Sequence, residues 1–304
     1  MDKWVFEEDV ERFKNRELKA NSIFYIKQIN KNIAYGFVRK YHYLGNAKFF
    51  SVYSFGLFYK PTTELVGVAT FSLPQGAHTL AGWFGLGNDT KNIFELTRLC
   101  LLPCLNNTNA SSFLLGGGIK KFNEMNNEMR QMCKRESVPF TSDKWVCRAV
   151  ITLALAQRHA GSIYQVCNFK YYGLTAQKQS FYDEVYGENA RVSTSIRHGA
   201  WLMRPRKHRY AYILDKSLKC LFQEEERPKK DELREAVPCC GGKGLVYDNR
   251  YDEWWTCPVC TGKLELVDKN GNKLPNPRIL GERIKEIKKD YDNSLQKFSF
   301  SDIL

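Results

Sequence analysis

Between Glu95 and Phe122 the chain reads ELTRLCLLPCLNNTNASSFLLGGGIKKF, and this stretch constrains the fold more than any other. Phe94 to Leu102 has the pattern of a strand that Pro103 stops, because proline has no N–H to continue a ladder. A polar loop follows, Asn106 to Ser111. Residues 109–125 then predict a helix, with Ser111 or Ser112 as its cap and Phe113, Leu114, Ile119 and Phe122 on an apolar face. A strand that passes through a short loop into a helix points backbone N–H groups and a positive dipole end at whatever lies in front. That suits the pyrophosphate of a cofactor. The candidate contacts are Leu102, Asn107, Asn109, Ala110, Ser111 and Ser112. An ordinary strand–helix unit has the same order.

The flanking pattern is of mixed type. Residues 1–20 read as a short amphipathic helix or arm. SVYSFGLFY and LVGVATF, on either side of a turn at residues 60–64, predict two strands of a meander. A Gly-rich loop follows from Pro74 to Asn92. Val146 to Leu155 is a β-branched and aliphatic run that suits a buried strand, and Ala160 to Asn168 a short helix. After Leu214 the composition shifts to a polar linker at residues 223–238, then to a small Cys-rich unit and a helix around 279–291. The expected organisation is residues 1–222 as a catalytic domain, 223–238 as a linker, and 239–304 as a zinc-ribbon-like module with a helix.

The 304 residues suffice for a sizeable core, and the 43% hydrophobic and 13% aromatic content excludes wholesale disorder. No apolar run is long enough to span a bilayer, and MDKWVFEEDV lacks a secretory layout, so a cytoplasmic protein without a membrane partner is expected. The net charge is +13. Residues 1–214 hold 29 Lys/Arg against 16 Asp/Glu, while residues 215–304 hold 17 of each. A basic domain attracts polyanions by counterion release, which makes nucleic acid the default partner. A solvated Lys-rich surface is the alternative. Arg204, Arg206, Lys207 and Arg209 place four cations in six residues and are candidate phosphate contacts.

GSIYQVCNFKYYGL (161–174), after the strand at 146–155, resembles the second signature of the GNAT acetyltransferase superfamily. The strand–loop–helix at 95–122 matches its first. The implied fold is α/β (α+β), with a mixed, mostly antiparallel sheet flanked by helices. By that resemblance Tyr164 is the phenol that protonates a departing thiolate, and an acyl-CoA is the donor. The loop at 106–111 lacks the glycines usual in that superfamily.

Over roughly residues 35–214 the chain resembles more closely the Mom family of phage DNA-modifying enzymes. The motifs are Tyr41-His42-Tyr43-Leu44-Gly45, then Glu95-Leu96-Thr97-Arg98-Leu99, then His159-Ala160-Gly161-Ser162-Ile163-Tyr164-Gln165-Val166-Cys167-Asn168, and finally Lys207-His208-Arg209-Tyr210. The resemblance implies that double-stranded DNA is the substrate and that an adenine N6 hydrogen is replaced by a carbamoylmethyl group, which protects a phage genome from restriction in the host cytoplasm. The candidate catalytic residues are Tyr164, His159, His42, Tyr43, Glu95, Arg98 and Asn168. Glu95 and Arg98 lie three apart, so a regular strand would turn them to opposite faces. Where the family tends to carry an Asp at the end of the strand before the histidine, this chain has Ala154. Carbamoylmethyl on N6 has the atoms of glycinamide, so a small-molecule or carrier-bound donor derived from glycine stands beside acetyl-CoA.

Cys257-Pro-Val-Cys260 has the spacing with which two thiolates grip one tetrahedral ion. Cys239 and Cys240, next to Gly241-Gly242, offer the other half of a structural zinc site. A redox-active pair is the alternative. Two further readings of the whole chain remain beside DNA modification: an N-acetyltransferase acting on an amine of RNA, protein or a modified base, and a nucleic-acid-binding accessory protein without catalysis.

Overall fold

In the computed structural model the residues described are 3–42, 50–74, 82–86, 92–155, 160–176, 179–183, 187–188, 199–203, 206–228, 245–248, 253–257, 261 and 264–274. They form two units. One comprises residues 1–154, 159–174 and 207–230; the other comprises 155–158, 175–206 and 231–304.

The first unit is organised by a seven-stranded sheet. Its strands are β1 (Phe24–Gln28), β2 (Tyr53–Tyr59), β3 (Glu64–Ser72), β4 (Ile93–Leu101), β5 (Ala149–Leu155), β6 (Lys170–Leu174) and β10 (Lys207–Ile213), in the order β1-β2-β3-β4-β5-β10-β6. The pairs β1/β2, β2/β3, β3/β4 and β10/β6 are antiparallel, and β4/β5 is parallel. The sheet is therefore mixed and mostly antiparallel, flanked by α1 (Lys3–Lys14), the turn α2 (Ala20–Ile23), α3 (Lys31–Tyr41), α4 (Ala110–Arg135) and α5 (Ser162–Val166). Strands β2 and β3 are buried along nearly their whole length, as expected of strands covered on both faces.

One face packs on α4. Phe55, Phe71 and Phe94 from β2, β3 and β4 meet Phe122 of that helix at centroid distances of 5.1–5.6 Å. Of the three successive glycines inside α4, Gly117 and Gly118 face the sheet, whereas Gly116 has open space around it. A Cβ at Gly117 would meet the end of the Ile26 side chain of β1, which would have to shift to admit it. The opposite face carries two smaller clusters. In one, Ala34, Phe37 and Val38 of α3 lie on Val68 and Cys100; in the other, Trp83 and Phe84 cover Ile93, Ile151, Tyr172 and Ala211.

The helix expected at 109–125 runs on to Arg135. Neither Ser111 nor Ser112 caps it. Asn109 precedes the first turn, Thr108 Oγ1 accepts from the Ala110 N–H at 3.2 Å, and the Ser112 hydroxyl donates to the Asn109 carbonyl. Thr108 takes the capping role because its hydroxyl, itself donating to the Leu105 carbonyl at 2.7 Å, already faces the open N–H. Farther along, Asn126 is 1% exposed and accepts from the Val146 and Cys147 N–H groups while donating to the Cys147 carbonyl. That anchor explains why β5 starts at Ala149 rather than at Val146.

In the second unit, β7 (Gln179–Asp183), β8 (Gly187–Glu188) and β9 (Gly199–Met203) form one antiparallel sheet. A second consists of β11 (Leu245–Asp248), β12 (Glu253–Thr256) and β13 (Leu266–Val267). Ala200, Trp255, Leu264 and Leu266 make its core, with Trp255 fully buried.

Candidate functional site

Cross-strand partners in an antiparallel pair lie on the same face of the sheet. The register Ser54↔Thr70 and Thr70↔Arg98, with Ser72↔Glu95, therefore places Ser54, Thr70, Ser72, Glu95 and Arg98 together. They share the face of Val68 and Cys100, opposite α4. Glu95 and Arg98 thus point the same way, against the expectation from regular pleating. The cause is a register shift between Thr70 and Phe71: Leu96 pairs with Phe71 and Arg98 with Thr70, so Thr97 is an extra residue, a β-bulge. The result is a polar strip between two apolar clusters. Ser54, Thr70 and Ser72 are at most 3% exposed, whereas Glu95 and Arg98 are half-buried, so the strip runs from the interior to a partly exposed charged end.

His42 joins this strip. It closes α3, with its N–H bonded to the Val38 carbonyl at 2.9 Å. Burial, and then the positive charge of Arg98, hold its imidazole below the ordinary value of 6.5. A neutral imidazole at neutral pH can accept a proton. The pairing of β4 with β5 ends beside this strip, at Glu95↔Ile151, although β4 runs on to Leu101 and β5 to Leu155. Beyond that point the two parallel strands do not bond to each other, and the sheet opens between them.

On the α4 face lies an open cleft of about 410 Å³, lined by Asn109, Ser112, Gly116, Val166, Cys167 and Asn168 among others. It brings Asn109 and Ser112 of the predicted anion loop together with Asn168. Ala110 is fully buried in the core, and Leu102 donates its N–H to Val66 of β3 at 2.9 Å. Asn107 and Asn168 both adopt left-handed backbone, at φ 62° and 61°, a conformation asparagine tolerates better than most residues. Cys167 hydrogen-bonds the Ser112 carbonyl at 3.4 Å, and burial pushes its thiol up to about 11. It is protonated at neutral pH and is no nucleophile there.

Tyr164 sits on α5 against the main core, with its ring 5.3 Å from Tyr210 and 5.8 Å from Phe169. Gly161 opens that helix at φ 68°, and a Cβ on it would strike the Tyr210 ring. The Tyr210 hydroxyl donates to the Ala160 carbonyl and accepts from Gln165 at 3.1 Å. Ala154 is buried in the main core.

Along β10 the basic cluster does not act as one surface. Lys207 is exposed and Arg206 half-buried. His208 is 2% exposed and bonds the Tyr171 hydroxyl through Nδ1 at 2.9 Å. Arg209 stacks over Phe222 at 3.7 Å, and burial lowers its pKa. Alternation turns His208 inward between Lys207 and Arg209, and stacking on Phe222 takes Arg209 out of the exposed group. The sequence reading missed the bulge at Thr97, the Tyr171–His208 pair and the Asn126 anchor. No local pattern in β3 or β4, each with a single threonine, marks the first.

His159, Tyr43, Arg204, Cys239, Cys240 and Cys260 lie outside the described residues. Among the described residues, no group of three or more His, Cys, Asp or Glu could hold a metal. Cys257 is 1% exposed, and its carbonyl accepts from both the N–H and the hydroxyl of Thr261, which turns the chain back after β12. No described helix is long and apolar enough to cross a membrane.

The fold and the site define a mixed α/β protein whose sheet opens between two parallel strands, beside a partly buried polar strip. Residues 23–133, which run from β1 nearly to the end of α4, match the Mom protein family, and over that span the chain is Mom-like. No curated protein matches the chain. Similar solved structures include NAA60 of Arabidopsis thaliana in complex with a bisubstrate analogue (12% identity, 62% of this chain and 97% of that one, TM-score 0.36). Others are an IAA acetyltransferase from Bacillus cereus (10%, 63% and 99%, TM-score 0.33) and a GNAT family acetyltransferase from Elizabethkingia anophelis with acetyl-CoA bound (12%, 63% and 98%, TM-score 0.33).

Proposed function

We propose that this chain is a group transferase that modifies double-stranded DNA, adding a carbamoylmethyl-type group to adenine N6, and that it serves a phage in evading restriction. The observation that carries the reading is that the Mom-like residues 23–133 contain His42, Glu95 and Arg98, gathered on one face where β4 and β5 part. An exocyclic amine is a poor nucleophile until a base takes its proton as the new bond forms. Neutral His42 is the candidate base, and Arg98 holds negative charge nearby. The donor lies on the α4 side, its phosphates toward Asn109 and Ser112. With a glycine-derived donor that carries its leaving group on the methylene carbon, N6 displaces that group to form the carbamoylmethyl product. The N6 proton passes to His42, and Tyr164 protonates the leaving group; acetyl-CoA as the donor would instead give an N6-acetyl product with CoA leaving. Arg206 and Lys207 contact phosphates of the duplex. A structural zinc ion is held by Cys239, Cys240, Cys257 and Cys260.

The test is mass spectrometry of nucleosides from DNA of cells expressing the protein or its Arg98→Ala variant. A new adenine adduct that is lost in the variant supports the proposal. Acetylated amines on RNA or protein would favour an N-acetyltransferase, and tight DNA binding without any adduct an accessory protein.

A further inference from the structure

Glu95 and Arg98 share a face only because β4 carries one residue more than β3 across the shift at Thr70/Phe71. An extra residue in a buried ladder persists where its polar groups find bonds. Thr97 finds them in two directions. Its hydroxyl donates to the Thr70 carbonyl at 3.0 Å and accepts from the Thr70 hydroxyl at 2.9 Å. Its own carbonyl accepts from Arg98 Nη1 at 2.7 Å. Thr70 is fully buried, so no water competes at that end.

We propose that Thr97 is a positioning residue: latched to Thr70, it fixes the bulge and sets the Arg98 guanidinium beside His42, on the face that carries Glu95. Its role in transfer rests on the reading of that face as the reaction site, whereas the latch itself is testable without activity. Without the hydroxyl, nothing pins the extra residue against β3. The strand can then relax its register, and a slip of one position turns a side chain to the other face.

The experiment compares the full-length wild type with Thr97→Val, Thr70→Val and Thr97→Ser. Thr97→Val keeps the volume and loses both bonds to Thr70, Thr70→Val loses only the hydroxyl–hydroxyl bond because its carbonyl still accepts from Thr97, and Thr97→Ser keeps the hydroxyl. The His42 imidazole is titrated by NMR in each. Arg98 is the charged group that acts on His42, and its removal favours the protonated ring. The His42 midpoint should therefore rise in Thr97→Val, rise less in Thr70→Val, and stay at the wild-type value in Thr97→Ser. In the DNA-modification assay, Thr97→Val should lose roughly a hundredfold in kcat with the donor KM unchanged, as for a misplaced site group. Thr97→Ser should recover most of that rate. A wild-type His42 titration in folded Thr97→Val would overturn the latch. Absence of any DNA modification by the wild type would overturn the functional proposal alone, since the titration still decides the latch.

Discussion

Arg148 Nε donates to Asp215 Oδ2 at 2.9 Å, with both side chains less than 10% exposed, and this pair ties the start of β5 to the residue just past β10. Asp215 also accepts from the Ser217 N–H and hydroxyl. Burial alone would raise the Asp215 carboxyl, but the bonds from Ser217 and Arg148 outweigh it and hold the pKa below 3.8. Removing one partner of a buried pair strands the other charge, at a cost of about 3 kcal/mol. Asp215→Ala should be destabilised by that order in urea unfolding. Because the folded pKa is lowered, the contribution is complete above the ordinary carboxylate value and is lost as pH falls through the lowered one. Stability should thus decline in strong acid for the wild type, and less for Asp215→Asn. Equal stability of Asp215→Ala and wild type at pH 7 would refute the pair's importance.

Tyr164→Phe removes one hydroxyl and leaves the ring against Tyr210 and Phe169. Modification should fall by about 10²–10⁴-fold with thermal stability near that of the wild type, as when a general acid is lost. Full activity in the variant would make Tyr164 a packing residue.

The pH dependence follows from His42. Its lowered pKa leaves the ring neutral down to more acidic conditions than a free imidazole, so the rising limb of kcat/KM should be centred below pH 6.5. A limb centred at or above 6.5 would point to another base.

Replacing Lys207 and Arg206 with Ala should flatten the salt dependence of DNA binding by up to about one unit of slope per lost phosphate contact, with stability unchanged. Arg209→Ala should behave otherwise, because that side chain stacks on Phe222. It should lower stability by about 1 kcal/mol. If all three variants affect only stability, this segment is not part of the DNA face.

Elemental analysis should find about one zinc per chain, as four cysteine thiolates around one tetrahedral ion require. Cys257→Ser should lower that ratio while the sheet of the first unit keeps its unfolding midpoint. Metal-free wild-type protein would end the zinc proposal.

Local signals settled much of the fold before any tertiary contact. The strand patterns of β2, β3 and β4, the stop at Pro103 and the apolar face of α4 follow from side-chain periodicity and from proline's missing N–H, and these act within a few residues. His42, Glu95, Arg98, Asn109, Ser112 and Asn168 were also picked out by motif. What no local pattern could decide was which of them meet. Glu95 and Arg98 share a face because β3 and β4, far apart in the chain, pair with a bulge that a Thr70–Thr97 bond secures. Arg209 is set apart from Lys207 by Phe222, a residue thirteen positions on. The second unit joins residues 175–206 to the C-terminal part of the chain through the burial of Ala200 beside Trp255. Each of these depends on pairing and burial between distant segments, and such free energy exists only once the chain has closed upon itself.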